Sequence, residues 1–158
     1  MKAFLGGTCN GSTWREELIP ILEMDFFNPV VKDWTPECQR REMLERMKCD
    51  ICLYTITPKM KGFYSVAEVV DDSNKRPEKT ILCVLMEDGK CKFDEHQMKS
   101  MVAVGDMVLG NGGKIFYKLE TLAEYLNGVN RSINKVINEE YTKCRREVYK
   151  IIGDKRCD

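Results

Sequence analysis

Short apolar runs alternate along the chain with longer segments of helical periodicity, and this alternation limits the fold more than any other feature. The run at residues 50–56 is almost continuously apolar and ends at Thr57-Pro58, which is typical of a strand buried on both faces of a sheet. Similar short runs occur at residues 3–5, 25–27, 79–85 and 114–117. Strands separated by helices predict βαβ units and a parallel sheet.

The segments between these runs have helix signals. Thr35 precedes Pro36 and Glu37, a capping hydroxyl followed by a first-turn proline and an acid. We expect the helix that follows to turn Met43, Leu44 and Met47 towards the core. Helical spacing at residues 66–70 and 95–109 predicts two more helices. Right-handed crossovers place helices on both faces, so we predict an α/β fold with a flavodoxin-like, doubly wound, five-stranded parallel sheet.

The segment at residues 129–152 has apolar residues at helical spacing with charged residues between them. We therefore divide the chain into an α/β domain at residues 1–127 and a C-terminal helical extension at residues 128–158. A helix of this length buries its apolar stripe either on its own domain or on another subunit. Because the five-strand unit looks complete without it, we expect a homodimer contact.

Composition argues against several classes of protein. The chain has 158 residues, 43% hydrophobic and 32% charged, as expected for one soluble globular domain. The formal net charge is zero, which gives no reason to expect nucleic acid or an anionic membrane as a partner. No apolar stretch has the length of a membrane-spanning helix. Residues 1–7 become glycine-rich at once, so we expect no signal peptide.

Most of the eight cysteines lie in apolar runs or helical patterns, where free cysteine behaves as a small apolar residue. Without a secretion signal, this distribution favours a reducing, cytoplasmic setting over a disulfide framework. Cys49 and Cys52 have CxxC spacing, but no second pair follows at zinc-ribbon distance, and His96 is the only histidine. We expect neither a metal nor a cofactor.

The first apolar run leads into a glycine-rich turn that can approach a ligand closely. It has neither a GxGxxG pattern nor the lysine of a P-loop, so a dinucleotide site is weakly supported. Two interpretations stay open, a ligand-binding loop and an ordinary strand-to-helix turn. The candidate binding residues in this turn are Gly7, Thr8, Cys9, Asn10 and Gly11.

Residues 62–68, Gly-Phe-Tyr-Ser-Val-Ala-Glu, lead from the end of the third predicted strand into a helix. They bring Glu68 to the carboxyl edge of the sheet, where open α/β proteins bind ligands. Tyr64 can supply a hydroxyl group or a ring face beside it. The structural alternative is that Glu68 is an acid in a first helical turn, where it favours the helix dipole.

Two further candidates precede the third strand. Glu42 lies eight residues before Asp50, but a solvated charged face is the structural alternative, because its neighbours are Arg40, Arg41, Glu45 and Arg46. Trp34 follows the second strand and either stacks on a planar ligand or covers the core. We expect Asp50, just before an apolar strand, to have a structural role.

In this order the features resemble the nucleoside 2-deoxyribosyltransferase family, which includes the 2′-deoxynucleoside 5′-monophosphate N-hydrolases. Three motifs within residues 2–84 underlie the resemblance. An aromatic-containing first strand ends in a Gly7-Thr8 turn. An acid, Glu42, lies eight residues before the aspartate that opens the third strand. A turn containing Gly62 leads to a glutamate, Glu68.

The resemblance implies a homo-oligomer that cleaves or transfers the N-glycosidic bond of a small-molecule nucleoside or nucleotide. By this analogy Glu68 attacks C1′ to form a glycosyl ester and Glu42 protonates the leaving base. The intermediate then passes to another base or to water. The implied substrate-binding residues, the last two contributed by a neighbouring subunit, are Gly7, Thr8, Cys9, Asn10, Gly11, Trp34, Gly62, Tyr64, Ser65, Ser100 and Met101.

The chain also departs from the family pattern. Glu42 stands where the family usually has aspartate, and Gly62 stands where the transferases have a sugar-holding aspartate and the hydrolases a serine. Asn10 stands where the hydrolases have an arginine, so a 5′-phosphate is less well supported. Ser65 can replace one missing hydrogen bond. The alternatives are a non-catalytic nucleotide-binding or sensing protein on the same fold and an interaction module built on the C-terminal helix.

Overall fold

The computed structural model describes residues 1–9, 11–33, 35–128 and 133–151, with side chains in the last range from residue 137 onward. The strands in these ranges are β1 (Lys2–Gly7), β2 (Asp25–Phe27), β3 (Ile51–Ile56), β4 (Thr80–Val84), β5 (Glu87–Asp88), β6 (Cys91–Lys92) and β7 (Lys114–Phe116). Five of them form one parallel sheet in the order β2-β1-β3-β4-β7. The prediction of a flavodoxin-like, doubly wound fold is confirmed.

A small antiparallel hairpin of β5 and β6 follows β4. It was not predicted, because each strand has only two residues and offers no periodicity to recognise. Gly89 makes the turn with a φ of 62°, in the left-handed region that glycine adopts without steric cost. The hairpin lies at the carboxyl edge of the sheet, beside the loops that follow β1 and β3.

The helices are α1 (Trp14–Leu18), α2 (Pro36–Lys48), α3 (Tyr64–Lys75), α4 (Glu95–Gly110), α5 (Leu119–Leu126) and α6 (Ile133–Ile151). Thr35 caps α2 as predicted, since its hydroxyl accepts a hydrogen bond from the Cys38 amide at 3.3 Å. The helical spacing of Leu18, Ile19 and Leu22 predicts a longer first helix than the five residues of α1. Helix α1 passes into a 3₁₀ turn at Ile19–Ile21 that contains Pro20, so Leu22 lies beyond it.

The sheet separates two apolar cores. On one face, Leu5 and Leu53 pack with residues of α1 and α5. On the other, Phe4 and Tyr54 pack with residues of α3 and α4. Adjacent residues of β1 and β3 thus point to opposite faces, as strand geometry requires. The chain crosses from one face to the other between β1 and β3, and the crevice at this switch point is where such sheets bind ligands.

The prediction that Met43, Leu44 and Met47 face the core is wrong. These side chains are 55%, 53% and 64% exposed. The inward face of α2 instead bears Arg46, which is hydrogen-bonded to α3, together with the half-buried Glu42. Polar partners on a neighbouring helix decide the orientation of α2, and a rule that turns apolar residues inward cannot detect them.

The C-terminal helix α6 packs on its own domain, which was the first of the two alternatives. Ile137 and Val148 are buried, and Glu140 pairs with Lys118 at 2.9 Å. The helix contacts α4, α5 and β7, while its outward face, including Thr142 and Arg146, is polar. Ile137 and Val148 of the apolar stripe are therefore covered within the chain, whereas Ile151 is 58% exposed, and the dimer contact that we expected there stays a prediction. Residues 129–132 and 152–158 lie outside the described ranges.

Three further observations concern only the described ranges. No helix there combines the length and the apolar character needed to cross a bilayer. No cluster of three or more histidine, cysteine, aspartate or glutamate side chains with the arrangement of a metal site occurs there. The seven cysteines in these ranges, including Cys49 and Cys52 of the CxxC pair, are free.

Candidate active site at the carboxyl edge of the sheet

The turn after β1 joins the ends of the two central strands. Gly7 has a φ of 116°, and a Cβ there would lie 2.1 Å from the carbonyl oxygen of Thr55, so only glycine fits. The Thr8 amide donates to that same carbonyl oxygen at 2.9 Å. The Thr8 hydroxyl accepts from the Thr57 amide at 3.0 Å. Gly7 and Thr8, predicted as binding residues, thus fix the geometry of the switch point.

Arg15, which sequence reasoning missed, stabilises this turn through hydrogen bonds to its backbone. Its side chain donates to the Leu5 carbonyl oxygen at 2.8 and 3.1 Å and to the Thr8 carbonyl oxygen at 2.8 Å. β2 pairs only with the first three residues of β1, so it provides no hydrogen-bond donor for these carbonyl groups. The Arg15 guanidinium provides the donors instead. Burial lowers the pKa of Arg15, and the nearby Cys9 and Glu42 oppose this effect. A cation in the first turn of a helix is unfavourable for the helix dipole. This unusual position was the sequence signal that could have identified Arg15.

A cleft of about 660 Å³ opens between the turn after β1 and the loop after β2. Cys9 and Gly11, both predicted, line it together with Arg15, Asn28 and Val30. The Cys9 thiol donates to the Gly7 carbonyl oxygen at 3.3 Å. The lining does not include Glu42 or Glu68. Asn10 and Trp34, also predicted as binding residues, lie outside the described ranges.

A polar clamp ties three loops together at this edge. Lys59, from the loop after β3, pairs with Asp88 of the hairpin at 2.7 Å and donates to the Gly11 carbonyl oxygen at 3.0 Å. The Ser12 hydroxyl also donates to Asp88. Burial alone would raise the pKa of Asp88, but the bonds from Lys59 and Ser12 hold it below its ordinary value. The clamp fixes the wall of the cleft in the conformation described here.

Glu68 lies inside α3 rather than in its first turn, so attraction to the helix dipole does not explain its place. It is the fifth residue of the helix and only 7% exposed. Tyr64 and Ser65 lie one turn before it and Asp72 one turn after it, which places all four along one side of α3. The Glu68 carboxylate accepts a hydrogen bond from Nη1 of Arg46, on α2, at 2.8 Å.

Both candidate acids have raised pKa values. Burial is the main cause that raises the pKa of Glu68 to about 7, with further contributions from Glu42 and Asp72, while Arg46 opposes it. Burial also raises the pKa of Glu42, which is half-buried, while Arg46 and Arg15 oppose it. Glu68 and Glu42 are thus a pair of nearby acids with raised pKa values, and the charge of Glu42 contributes to the rise at Glu68. Such pairs are frequent in active sites, although structural ion networks produce them too.

Behind Glu68 is a fully buried carboxylate, Asp72, which sequence reasoning also missed. It accepts hydrogen bonds from Arg46 at 2.7 and 3.0 Å, from Arg76 at 3.0 Å and from the Tyr54 hydroxyl at 2.6 Å. Although burial alone would raise the pKa of Asp72, these donors hold it below its ordinary value. The available signal was an acid one turn after Glu68, on the side of α3 that also bears the buried Val69 and Ser73.

The remaining predicted residues divide into two groups. Tyr64 is 67% exposed, Gly62 is exposed and Ser65 is half-buried, so all three are accessible near the start of α3. Met101 is 7% exposed and packs in the core of its own chain, a position that does not favour contact with a neighbour's pocket. Ser100 is exposed, but its hydroxyl donates to the His96 carbonyl oxygen of the same helix at 2.9 Å.

In comparisons with known proteins the chain matched no protein-family model, no curated protein and no solved structure. The resemblance to the deoxyribosyltransferases therefore depends on the sequence motifs alone.

Proposed function

We propose that this protein cleaves or transfers the N-glycosidic bond of a nucleoside or nucleotide through a glycosyl ester on Glu68. The observation that supports the proposal is the pair of acids with raised pKa values, Glu68 and Glu42, on neighbouring helices beside the switch point. Double displacement at an anomeric carbon requires two carboxyl groups with different protonation states. The motifs shared with the deoxyribosyltransferases point to the same chemistry.

In the first step an oxygen of the Glu68 carboxylate attacks C1′ of the sugar. The C1′–O bond forms as the C1′–N bond breaks, and the electron pair of the broken bond goes to the base nitrogen. Glu42 delivers its proton to the leaving base. In the second step a water or another base attacks C1′ and releases Glu68, while Glu42 takes up a proton from the attacking group.

One contact of Glu68 favours its ionised form. Arg46 donates directly to Glu68, and a charge-assisted hydrogen bond favours the ionised form of its acceptor. The resemblance assigns the carboxylate to Glu68 and the proton to Glu42. Because the pKa of Glu68 is about 7 with the effect of Arg46 included, this form requires Glu68 to lose its proton. With the pKa of Glu68 raised to about 7, the active form accumulates as the pH rises towards neutrality.

Tyr64 is our candidate for contact with the base. It lies one helical turn before Glu68, and its ring is 67% exposed, so one aromatic face can stack on a planar ligand. The homodimer that the resemblance implies is also part of this proposal. Since α6 is covered by its own domain, the exposed apolar side chains of α2 are now the better location for a subunit contact.

The test is base release from a panel of 2′-deoxynucleosides, ribonucleosides and their 5′-monophosphates, followed by chromatography with and without an acceptor base. We expect release from at least one substrate, and its loss in Glu68→Gln and Glu42→Gln. The matched control is Glu45→Gln on α2, an acid outside the pair that is bonded to Lys2, and it should retain activity. No release from any substrate would contradict the proposal, as would full activity in Glu68→Gln.

The second candidate is a nucleotide-binding or sensing protein without turnover. The hydrogen bond from Arg46 to Glu68 favours it, because that bond occupies one oxygen of the proposed nucleophile. Calorimetry with the same panel separates the two functions. Saturable binding with no product over hours supports the sensor, whereas product formation excludes it.

A further inference from the structure

Arg46 connects the two proposed acids to the buried carboxylate of Asp72. It lies one turn after Glu42 on α2, and its guanidinium reaches across to α3. There Nη1 donates to Oε1 of Glu68 at 2.8 Å, while Nη2 and Nε donate to Oδ1 and Oδ2 of Asp72 at 2.7 and 3.0 Å. The Arg46 side chain is 11% exposed and that of Asp72 is 0% exposed. A two-pronged contact of this kind fixes the plane of the guanidinium.

Asp72 is itself held by residues that do not bond to Glu68. The Tyr54 hydroxyl of β3 donates to its Oδ2 at 2.6 Å, and Nε of Arg76 donates to its Oδ1 at 3.0 Å. The carboxylate is thus anchored to the sheet and to the residue that follows α3. Since Asp72 cannot turn, neither can the guanidinium bound to it, and the direction of Nη1 is determined before any ligand arrives.

For Glu68 the result is a carboxylate with one oxygen engaged. Within the described residues, Oε1 accepts from Arg46 and no donor bonds to Oε2. We propose that Arg46, anchored by Asp72, is a positioning residue that holds Oε1 of Glu68 and so presents Oε2 as the attacking oxygen. This inference rests on the proposed function, because it assigns Glu68 the part of nucleophile.

The charges around Glu68 determine the direction in which its pKa should change when Arg46 is removed. The carboxylate senses one cation, Arg46 of α2, and two acids, Glu42 of α2 and Asp72 of α3. Without Arg46 only the acids remain, so the pKa of Glu68 should rise by roughly one unit or more. Arg76 is the matched control, because it also bonds to Asp72 but is not bonded to Glu68. Its removal should leave the pKa of Glu68 in place.

The experiment is a pH titration of the glutamate carboxyl carbons by ¹³C NMR in the wild type, Arg46→Gln and Arg76→Gln, with Glu68→Gln to assign the signal. We expect the midpoint of Glu68 to move to higher pH in Arg46→Gln and not in Arg76→Gln. Equal shifts in the two variants, or none in Arg46→Gln, would overturn the inference. The titration needs no substrate, so absence of base release with the expected shift refutes the proposed function and leaves the Arg46–Glu68 coupling standing.

Arg46→Lys separates position from charge and is available if Arg46→Gln does not fold. Lysine keeps a cation near Glu68 but cannot make the two-pronged contact with Asp72. We expect kcat to fall by roughly tenfold or more with little change in KM, since misplacement of a reacting group affects chemistry more than binding. An unchanged kcat in the folded lysine variant would show that Arg46 does not position the nucleophile.

Discussion

Replacement of Glu68 by glutamine should stabilise the protein at alkaline pH. The buried carboxyl has its pKa raised from the ordinary 4.5 to about 7 in the folded protein. Between these values the folded state binds more protons than the unfolded state, so the contribution of Glu68 to stability falls as the pH rises through this range. Above about pH 7 the folded protein bears the full cost of an ionised, buried carboxylate. Glutamine keeps the shape and removes that cost.

The magnitude follows from the displacement of the pKa. Each pKa unit corresponds to about 1.4 kcal/mol, so the step from 4.5 to about 7 corresponds to about 3 kcal/mol. Relative to the wild type, Glu68→Gln should therefore gain about 3 kcal/mol in free energy of unfolding between pH 4.5 and pH 8.5. Urea unfolding with linear extrapolation at several pH values measures this difference.

Glu45→Gln is the matched control for sign. A hydrogen bond from the exposed Lys2 is the main cause that lowers the pKa of Glu45, so its carboxylate stabilises the fold and is lost as the pH falls. This variant should lose stability relative to the wild type as the pH rises. If Glu68→Gln also loses stability relative to the wild type as the pH rises, the ion pair with Arg46 outweighs the cost of burial. Glu68 would then be a structural residue, and not a functional residue that costs stability.

Three more predictions concern the fold, each measured by urea unfolding. In protein that light scattering shows to be monomeric, Met43→Gln with Met47→Gln should change stability by less than about 0.5 kcal/mol per site, because both side chains are exposed; a core-sized loss would contradict the orientation of α2. Gly7→Ala should cost more than about 2 kcal/mol or prevent folding, since its Cβ would strike the Thr55 carbonyl. An unchanged free energy of unfolding would show that residue 7 does not lie this close to Thr55. Ile137→Ala should cost roughly 2 to 5 kcal/mol in one cooperative transition, whereas a neutral result would mean that α6 is not docked on the domain.

The sheet could be predicted because each of its strands can be recognised from residues that are adjacent in sequence. The parallel strands β1, β2, β3, β4 and β7 are short apolar runs, and the helix between each pair leaves few ways to connect them. The Thr35 cap of α2 was equally visible. These features depend on residues that are close in sequence, which is what pattern analysis can use.

What could not be predicted depends on contacts between distant residues. The orientation of α2 follows from Arg46 meeting two carboxylates on α3, more than twenty residues away. The position of Arg15 depends on backbone carbonyl groups at the end of β1. They receive no hydrogen bond from β2, because β2 is an edge strand of only three residues. For the site, sequence reasoning identified Glu68 and Glu42 as acids near one edge. It could not identify Asp72, because burial and bonding partners distinguish it from the exposed Asp71 beside it.

The covalent ester can be sought by acid quenching the enzyme during turnover, digesting it and measuring the peptide masses. We predict a sugar attached to the peptide that contains Glu68 in the wild type, and no such adduct in Glu68→Gln. Base release without any adduct, or an adduct on another residue, would contradict the role of Glu68 as nucleophile.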